Sequence, residues 1–100
     1  MIRTGIIEGA GFTGGELIRL LLNHPDVHLI FITGRGNSGQ YIHEVHRGLY
    51  GETDLQFAEE PELDKIDLLF LCTDAEESRQ FMQSHETIST LSKALLLDSQ

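Results

Sequence analysis

Apolar residues occur along the chain in short blocks that differ in their spacing. Blocks of strand character cover Arg3–Ile7 and Val27–Thr33. The run "DLLFLC" over Asp67–Cys72 is almost continuously apolar, which is typical of a buried parallel strand. Ala94–Leu97 predicts a last strand, and Leu55–Ala58 predicts a weak one.

Helical patterns separate these strands. After the first strand, apolar residues recur at helical spacing at Leu17, Ile18, Leu20, Leu21 and Leu22. That pattern ends at Asn23-His24-Pro25, because proline cannot continue a helix. A loop is predicted over Gly34–Gly39, a short helix over Ile42–His46 and a longer helix over Glu76–Gln83.

Alternating strands and helices predict a Rossmann-like α/β fold. The sheet is expected to be open and mostly parallel, with helices on both faces and right-handed crossovers. In such sheets ligands bind beyond the carboxyl ends of the strands. A chain of 100 residues suits one domain, so we expect a single dinucleotide-binding domain over residues 1–100.

The turn between the first strand and the first helix carries the pattern G-x-G-x-x-G, with glycines at Gly9, Gly11 and Gly14. Glycine permits a tight turn, lets backbone amides approach a pyrophosphate and lets the helix pack closely on the strand. The position after a strand and before a helix favours a dinucleotide site over a simple tight turn. Within the same turn, Ala10 and Phe12 are also predicted to line the cofactor.

The same turn contains one predicted helix cap and two residues, Phe12 and Glu8, whose roles have alternatives. Thr13 and Glu16 form the pattern T-x-x-E, which predicts a capping box at the helix start and places Thr13 beside the cofactor. Phe12 either covers the cofactor or holds the loop against the core. Glu8 stands just before the glycines, where its carboxylate would repel a bound phosphate, take its place or point into solvent.

The end of the second strand predicts which dinucleotide is bound. An acidic residue there would accept the ribose 2′-hydroxyl of NAD, but the sequence is Thr33-Gly34-Arg35. A guanidinium pairs bidentately with phosphate, so Thr33 and Arg35 predict NADP, unless Arg35 is only a solvated surface residue. Thr73, after the buried third strand, completes the predicted cofactor-binding set.

Charge and cysteine content restrict the partners. Seven basic residues against sixteen acidic ones give a net charge of −9, which disfavours nucleic acid and anionic membranes as partners. The single cysteine excludes an internal disulfide, and no signal peptide or membrane span is recognisable, so we expect a cytoplasmic protein. His43 and His46 stand three residues apart, but no further ligand at suitable spacing completes a metal site.

The stretches "GAGFTGGELIRLLLNHP", "TGRGNSG" and "EVHRGLYG" resemble the amino-terminal part of N-acetyl-γ-glutamyl-phosphate reductases. The resemblance extends at least to Cys72. It implies an NADP-dependent reductase of arginine biosynthesis that converts an acyl phosphate to an aldehyde. In that chemistry a cysteine attacks the acyl phosphate, phosphate leaves and NADPH reduces the thioester. The resemblance also implies a homo-oligomeric whole protein.

The sequence departs from the family pattern in places that bear on activity. Glu8 stands where the family loop has its first glycine, and Thr73-Asp74-Ala75-Glu76-Glu77 replaces a usual His-Gly pair near the nicotinamide side. The end "KALLLDSQ" only loosely resembles the family's continuation, and we expect the catalytic cysteine and the substrate domain to lie outside these 100 residues. Cys72, inside an apolar strand, is predicted to be a core residue.

Two functional hypotheses follow. In the first, the chain is the NADP-binding domain of an acyl-phosphate reductase and is inactive alone. In the second, it is a non-catalytic Rossmann-like domain, natural or engineered, whose cofactor site has been degraded by the added carboxylates of Glu8, Asp74, Glu76 and Glu77.

Overall fold

The chain folds around a four-stranded sheet in the computed structural model, which describes residues 1–84 and 93–96. The strands are β1 (Ile2–Ile7), β2 (Val27–Ile32), β3 (Leu68–Leu71) and β4 (Lys93–Leu96). They are all parallel and lie in the order β2-β1-β3-β4. The helices are α1 (Phe12–Leu22), α2 (Ile42–Val45) and α3 (Ala75–Ser84), with 3-10 turns at Arg47–Leu49 and Leu63–Lys65.

The two faces of the sheet carry separate hydrophobic clusters, because successive side chains of a strand point to opposite faces. Ile6 of β1 packs with Ile18 and Leu21 of α1 on one face. Its neighbour Ile7 packs in the other cluster, which Phe81 of α3 joins. Helices therefore cover both faces of a parallel sheet, and the predicted Rossmann-like fold is confirmed.

The pairing of β1 with β2 contains an irregularity that shapes the core. Thr4 pairs with Leu29 and Gly5 pairs with Phe31, so Ile30 is an extra residue in β2. Gly5 gives the Phe31 ring its space, since a β-carbon at Gly5 would lie 2.4 Å from the ring.

Most predicted elements agree with the structure to within one or two residues, but the weak strand over Leu55–Ala58 was wrong. Only isolated bridges occur there, from Gln56 to Tyr41 and from Ala58 to Thr33. Phe57, between the two bridges, is buried in the α1-side cluster. Leu97, predicted as the end of the last strand, lies outside the described residues.

The predicted capping box at the start of α1 was also wrong. The helix begins at Phe12 with Gly11 as its N-cap, and Gly11 has no side chain that could act as a cap. The amide of Gly15 donates to the carbonyl of Gly11 at 2.9 Å, so Thr13 already lies inside the first turn and cannot act as the N-cap. Glu16 pairs instead with Arg19.

Candidate functional site

The carboxyl ends of β1, β2 and β3 meet at one edge of the sheet. The chain passes from β1 to β2 on one side of β1 and to β3 on the other, so this edge contains the point where the strand order reverses. A cleft of about 490 Å³ opens there. Its walls include Glu8, Thr33, Arg35, Glu59, Thr73 and Glu77.

The glycine loop is closely packed on one side and open on the other. The amide of Gly9 donates to the carbonyl of Thr33 at 2.8 Å, which ties the loop to the end of β2. A β-carbon at Gly14 would lie 2.5 Å from the Cα of Gly9, so α1 approaches the loop more closely than a side chain allows. A β-carbon at Gly11 would meet nothing within 4 Å. Close helix packing and an open loop surface are what a dinucleotide turn needs.

The other predicted loop residues divide between core and surface. Ala10 packs against the α1-side hydrophobic cluster, and Thr13 is half-buried in the first turn of α1. Phe12 is 79% exposed, which contradicts the alternative that it holds the loop against the core.

Glu8 adopts a left-handed backbone conformation, with a φ angle of 62°. A residue with a β-carbon pays roughly 1–2 kcal/mol for this conformation, whereas glycine adopts it freely. Its amide donates to Oγ1 of Thr33 at 3.2 Å, and its Oε1 accepts from the amide of Arg35 at 3.1 Å. The carboxylate is therefore directed towards the end of β2 at the cleft wall.

Arg35 forms an ion pair across the cleft. Its Nη2 lies 3.1 Å from Oε2 of Glu77 on α3, and 74% of the Arg35 side chain remains exposed. Both residues line the cleft. The side chain is thus neither buried nor simply solvated, because an acidic partner from another element holds its guanidinium.

The residues after β3 have different roles, although the sequence shows them as one acidic run. Asp74 caps α3, since its Oδ1 accepts from the amide of Glu77 at 2.8 Å. Glu76 pairs with Arg79 on the same helix, and only Glu77 of these three carboxylates lines the cleft. Thr73 is buried and its hydroxyl is hydrogen-bonded to that of Ser78.

His46 contacts the glycine loop, a role that the sequence interpretation missed. Its Nε2 donates to the carbonyl of Gly9 at 2.7 Å, and a β-carbon at Gly15 would lie 2.6 Å from its Nδ1. His43 points elsewhere and stacks on Tyr41, with ring centroids 5.2 Å apart. The sequence signal was the motif "EVHRGLYG", which contains His46. Within residues 1–84 and 93–96 no group of three potential ligands is placed to hold a metal ion.

Cys72 follows β3 and is only 2% exposed. Burial raises the pKa of its thiol to about 11. The thiol is therefore protonated at neutral pH, which does not suit a nucleophile.

A parallel sheet with a glycine turn between its first strand and first helix, and a cleft where the strand order reverses, defines a Rossmann-type nucleotide-binding domain. Residues 3–91 match the family model described as semialdehyde dehydrogenase, NAD binding domain. The chain belongs to this family and is a domain for a nicotinamide cofactor.

Several similar curated proteins are named N-acetyl-gamma-glutamyl-phosphate reductase. Another, from Thermomicrobium roseum, is named "Putative [LysW]-L-2-aminoadipate 6-phosphate reductase". It is 43% identical over 72 residues, which cover 72% of this chain and 20% of that relative. The chain is 60% identical over 85 residues to an N-acetyl-gamma-glutamyl-phosphate reductase from Parabacteroides distasonis and 56% identical over 85 residues to one from Bacteroides thetaiotaomicron. Each match covers 85% of this chain and 26% of the relative, so the chain spans about a quarter of these relatives' length. Within the described part of the chain, no helix combines the length and the apolar character needed to cross a membrane.

Proposed function

We propose that residues 1–100 form the NADP(H)-binding domain of an acyl-phosphate reductase that acts on N-acetyl-γ-glutamyl phosphate. The proposal rests chiefly on Arg35, which lies at the carboxyl end of β2 on the wall of the cleft. A guanidinium at this position suits the 2′-phosphate that distinguishes NADP from NAD. The relatives from Parabacteroides distasonis and Bacteroides thetaiotaomicron are named N-acetyl-gamma-glutamyl-phosphate reductases, which supports this substrate.

The glycine loop supports binding of the pyrophosphate. The N-cap of α1 is Gly11, which has no side chain and faces open space, so phosphate oxygens can approach the first turn of the helix. We assign Gly9, Ala10, Gly11, Phe12, Thr13 and Gly14 to this part of the site. Thr33 and Thr73 complete the proposed cofactor site at the ends of β2 and β3, where each is buried at the cleft wall.

The domain contributes binding and orientation to the reaction. When bound, NADPH would supply a hydride to the substrate carbonyl carbon. The chain's only cysteine is buried and protonated, so the attacking thiol must come from elsewhere in the whole protein. We further propose that the whole protein is a cytoplasmic homo-oligomer that binds neither nucleic acid nor membranes.

Ligand titration of the wild type and two arginine variants tests the proposal. Arg35→Ala is expected to weaken NADP+ binding by about 1.5–3 kcal/mol and to leave NAD+ binding nearly unchanged. Arg3→Ala is the matched control, because Arg3 is paired with Asp67 and does not line the cleft. Calorimetry gives the affinities, and backbone amide shifts locate the ligand at the glycine loop.

Equal losses for both dinucleotides in Arg35→Ala would contradict the assignment of the 2′-phosphate to this residue. If neither dinucleotide binds the wild type, the degraded-site hypothesis replaces the proposal. Amide shifts that leave the glycine loop unchanged would also contradict it.

A further inference from the structure

We propose that Glu77 is a specificity-determining residue that holds the guanidinium of Arg35 and thereby reduces the preference of the site for NADP over NAD. The inference rests on the proposed function, in which Arg35 binds the 2′-phosphate. NAD carries a hydroxyl at that position and does not need the guanidinium, so the two dinucleotides respond differently to Glu77.

Glu77 is held where it can compete for Arg35. The Asp74 cap positions the first turn of α3, and the Oε2 of Glu77 reaches Nη2 of Arg35 at 3.1 Å. On the opposite wall, the amide of Arg35 is bonded to Glu8, so its backbone is anchored while its side chain is mostly exposed. An exposed ion pair with one close contact opens at little cost. The phosphate can therefore displace Glu77, but only by competing with it.

The charge of the cleft strengthens this competition. Among the described residues that line the cleft, Arg35 is the only cation, whereas Glu8, Glu59 and Glu77 are carboxylates. An incoming phosphate finds its single positive partner already paired with an anion. Removing the charge of Glu77 frees this partner, because Glu77 is the carboxylate that touches the guanidinium among the described residues.

Glu77→Gln tests the proposal, with Glu76→Gln as the matched control. Both variants remove one negative charge from the first turn of α3, but Glu76 pairs with Arg79 and is not part of the cleft wall. Calorimetry with NADP+ and NAD+ is expected to show roughly three- to tenfold tighter NADP+ binding for Glu77→Gln. NAD+ binding by this variant, and binding of both ligands by Glu76→Gln, are expected to stay within about twofold of wild type.

The same substitution in the Arg35→Ala background shows whether Glu77 acts through Arg35. In that background, Glu77→Gln is expected to change NADP+ affinity by no more than about twofold relative to Arg35→Ala alone. A gain of equal size in that background, equal gains for both dinucleotides or an equal gain in Glu76→Gln would overturn the proposal. Unchanged NADP+ binding by Glu77→Gln, while Arg35→Ala still loses NADP+ selectively, would overturn only the role of Glu77. If no variant binds either dinucleotide, the proposed function fails together with it.

Discussion

Two ion pairs connect strands β1 and β2 with the segment around β3, one at each end of the sheet. At the amino end, Arg3 meets Asp67 through its backbone amide at 3.2 Å, Nε at 3.1 Å and Nη2 at 2.9 Å. At the carboxyl end, Arg35 meets Glu77 through one contact at 3.1 Å. Asp67 raises the pKa of Arg3, and Arg3 lowers that of Asp67, chiefly through the side-chain hydrogen bonds.

The difference separates a structural ion pair from one that can open. Multiple hydrogen bonds restrict Arg3 and Asp67 to one geometry, so this pair connects β1 firmly to the residue before β3 at the amino end of the sheet. In the part of the chain that the structure describes, the Arg35 guanidinium makes one contact, to Glu77, which leaves its other donors available at the cleft. The end of the sheet that carries the candidate site is therefore the one where the charges are less firmly paired.

At the carboxyl end, the ion pair is loose but the backbone is closely packed, and a glycine substitution tests this packing. Gly14→Ala is expected to destabilise the domain by about 2–4 kcal/mol, because the new β-carbon would lie 2.5–2.6 Å from backbone atoms of Gly9. Gly48→Ala is the control, since a β-carbon there meets nothing within 4 Å. Urea denaturation measures the free energy of unfolding of both variants. A change in Gly14→Ala as small as in Gly48→Ala would mean that the loop yields and that this end is loose throughout.

A substitution at Glu8 tests the charges at the carboxyl end of the sheet through their effect on ligand binding. Glu8→Gly removes a carboxylate from the cleft wall, and we expect NADP+ to bind about 1–3 kcal/mol more tightly at low salt. Glycine also relieves the left-handed conformation at this position. The gain should shrink as salt rises, because exposed charges are screened.

Glu60→Gln provides the charge control for this experiment, since Glu60 is exposed and is not part of the cleft wall. Calorimetry at two salt concentrations gives the result. Binding by Glu8→Gly that is equal to or weaker than wild type would show that the Glu8 carboxylate does not oppose the ligand.

The pH dependence of stability tests the amino-end pair. The folded-state pKa of Asp67 is lowered, so the stabilising contribution of this carboxylate is present above its unfolded value of 3.8 and is lost as the pH falls through the folded value. Asp67→Asn is therefore expected to lower the thermal midpoint at neutral pH, and the difference from wild type should vanish in acid. Glu77→Gln should change the midpoint less. A difference for Asp67→Asn that persists unchanged at low pH would argue against the charge as its source.

The smallest expected effect concerns Cys72, which lies in sequence between the acidic members of the two pairs. The chain alone is expected to show no reduction of N-acetyl-γ-glutamyl phosphate with NADPH, and Cys72→Ser should leave NADP+ binding unchanged. Absorbance of NADPH follows turnover. Activity that disappears in Cys72→Ser would identify Cys72 as a nucleophile despite its burial.

Much of the fold was predictable because it depends on local patterns. The periodicity of Leu17 to Leu22 and the apolar run before Thr73 predicted a helix and a buried strand that the structure contains. The weak strand at Leu55–Ala58 failed, because its pairing depends on distant residues such as Tyr41 and Thr33. The capping box failed because the helix starts at Phe12, and a sequence pattern does not specify the first intrahelical bond.

The sequence by itself determined the order of strands and helices, the glycine turn and the presence of Arg35 after β2. These features follow from residue type and short-range spacing, on which backbone geometry and helix packing directly depend. Only the tertiary structure decided that Glu8 turns to the amide of Arg35, that His46 donates to Gly9 and that Glu77, rather than Asp74 or Glu76, reaches the guanidinium. Those contacts join residues 27 to 42 positions apart, so they exist only once the parallel strands bring their carboxyl ends to one edge.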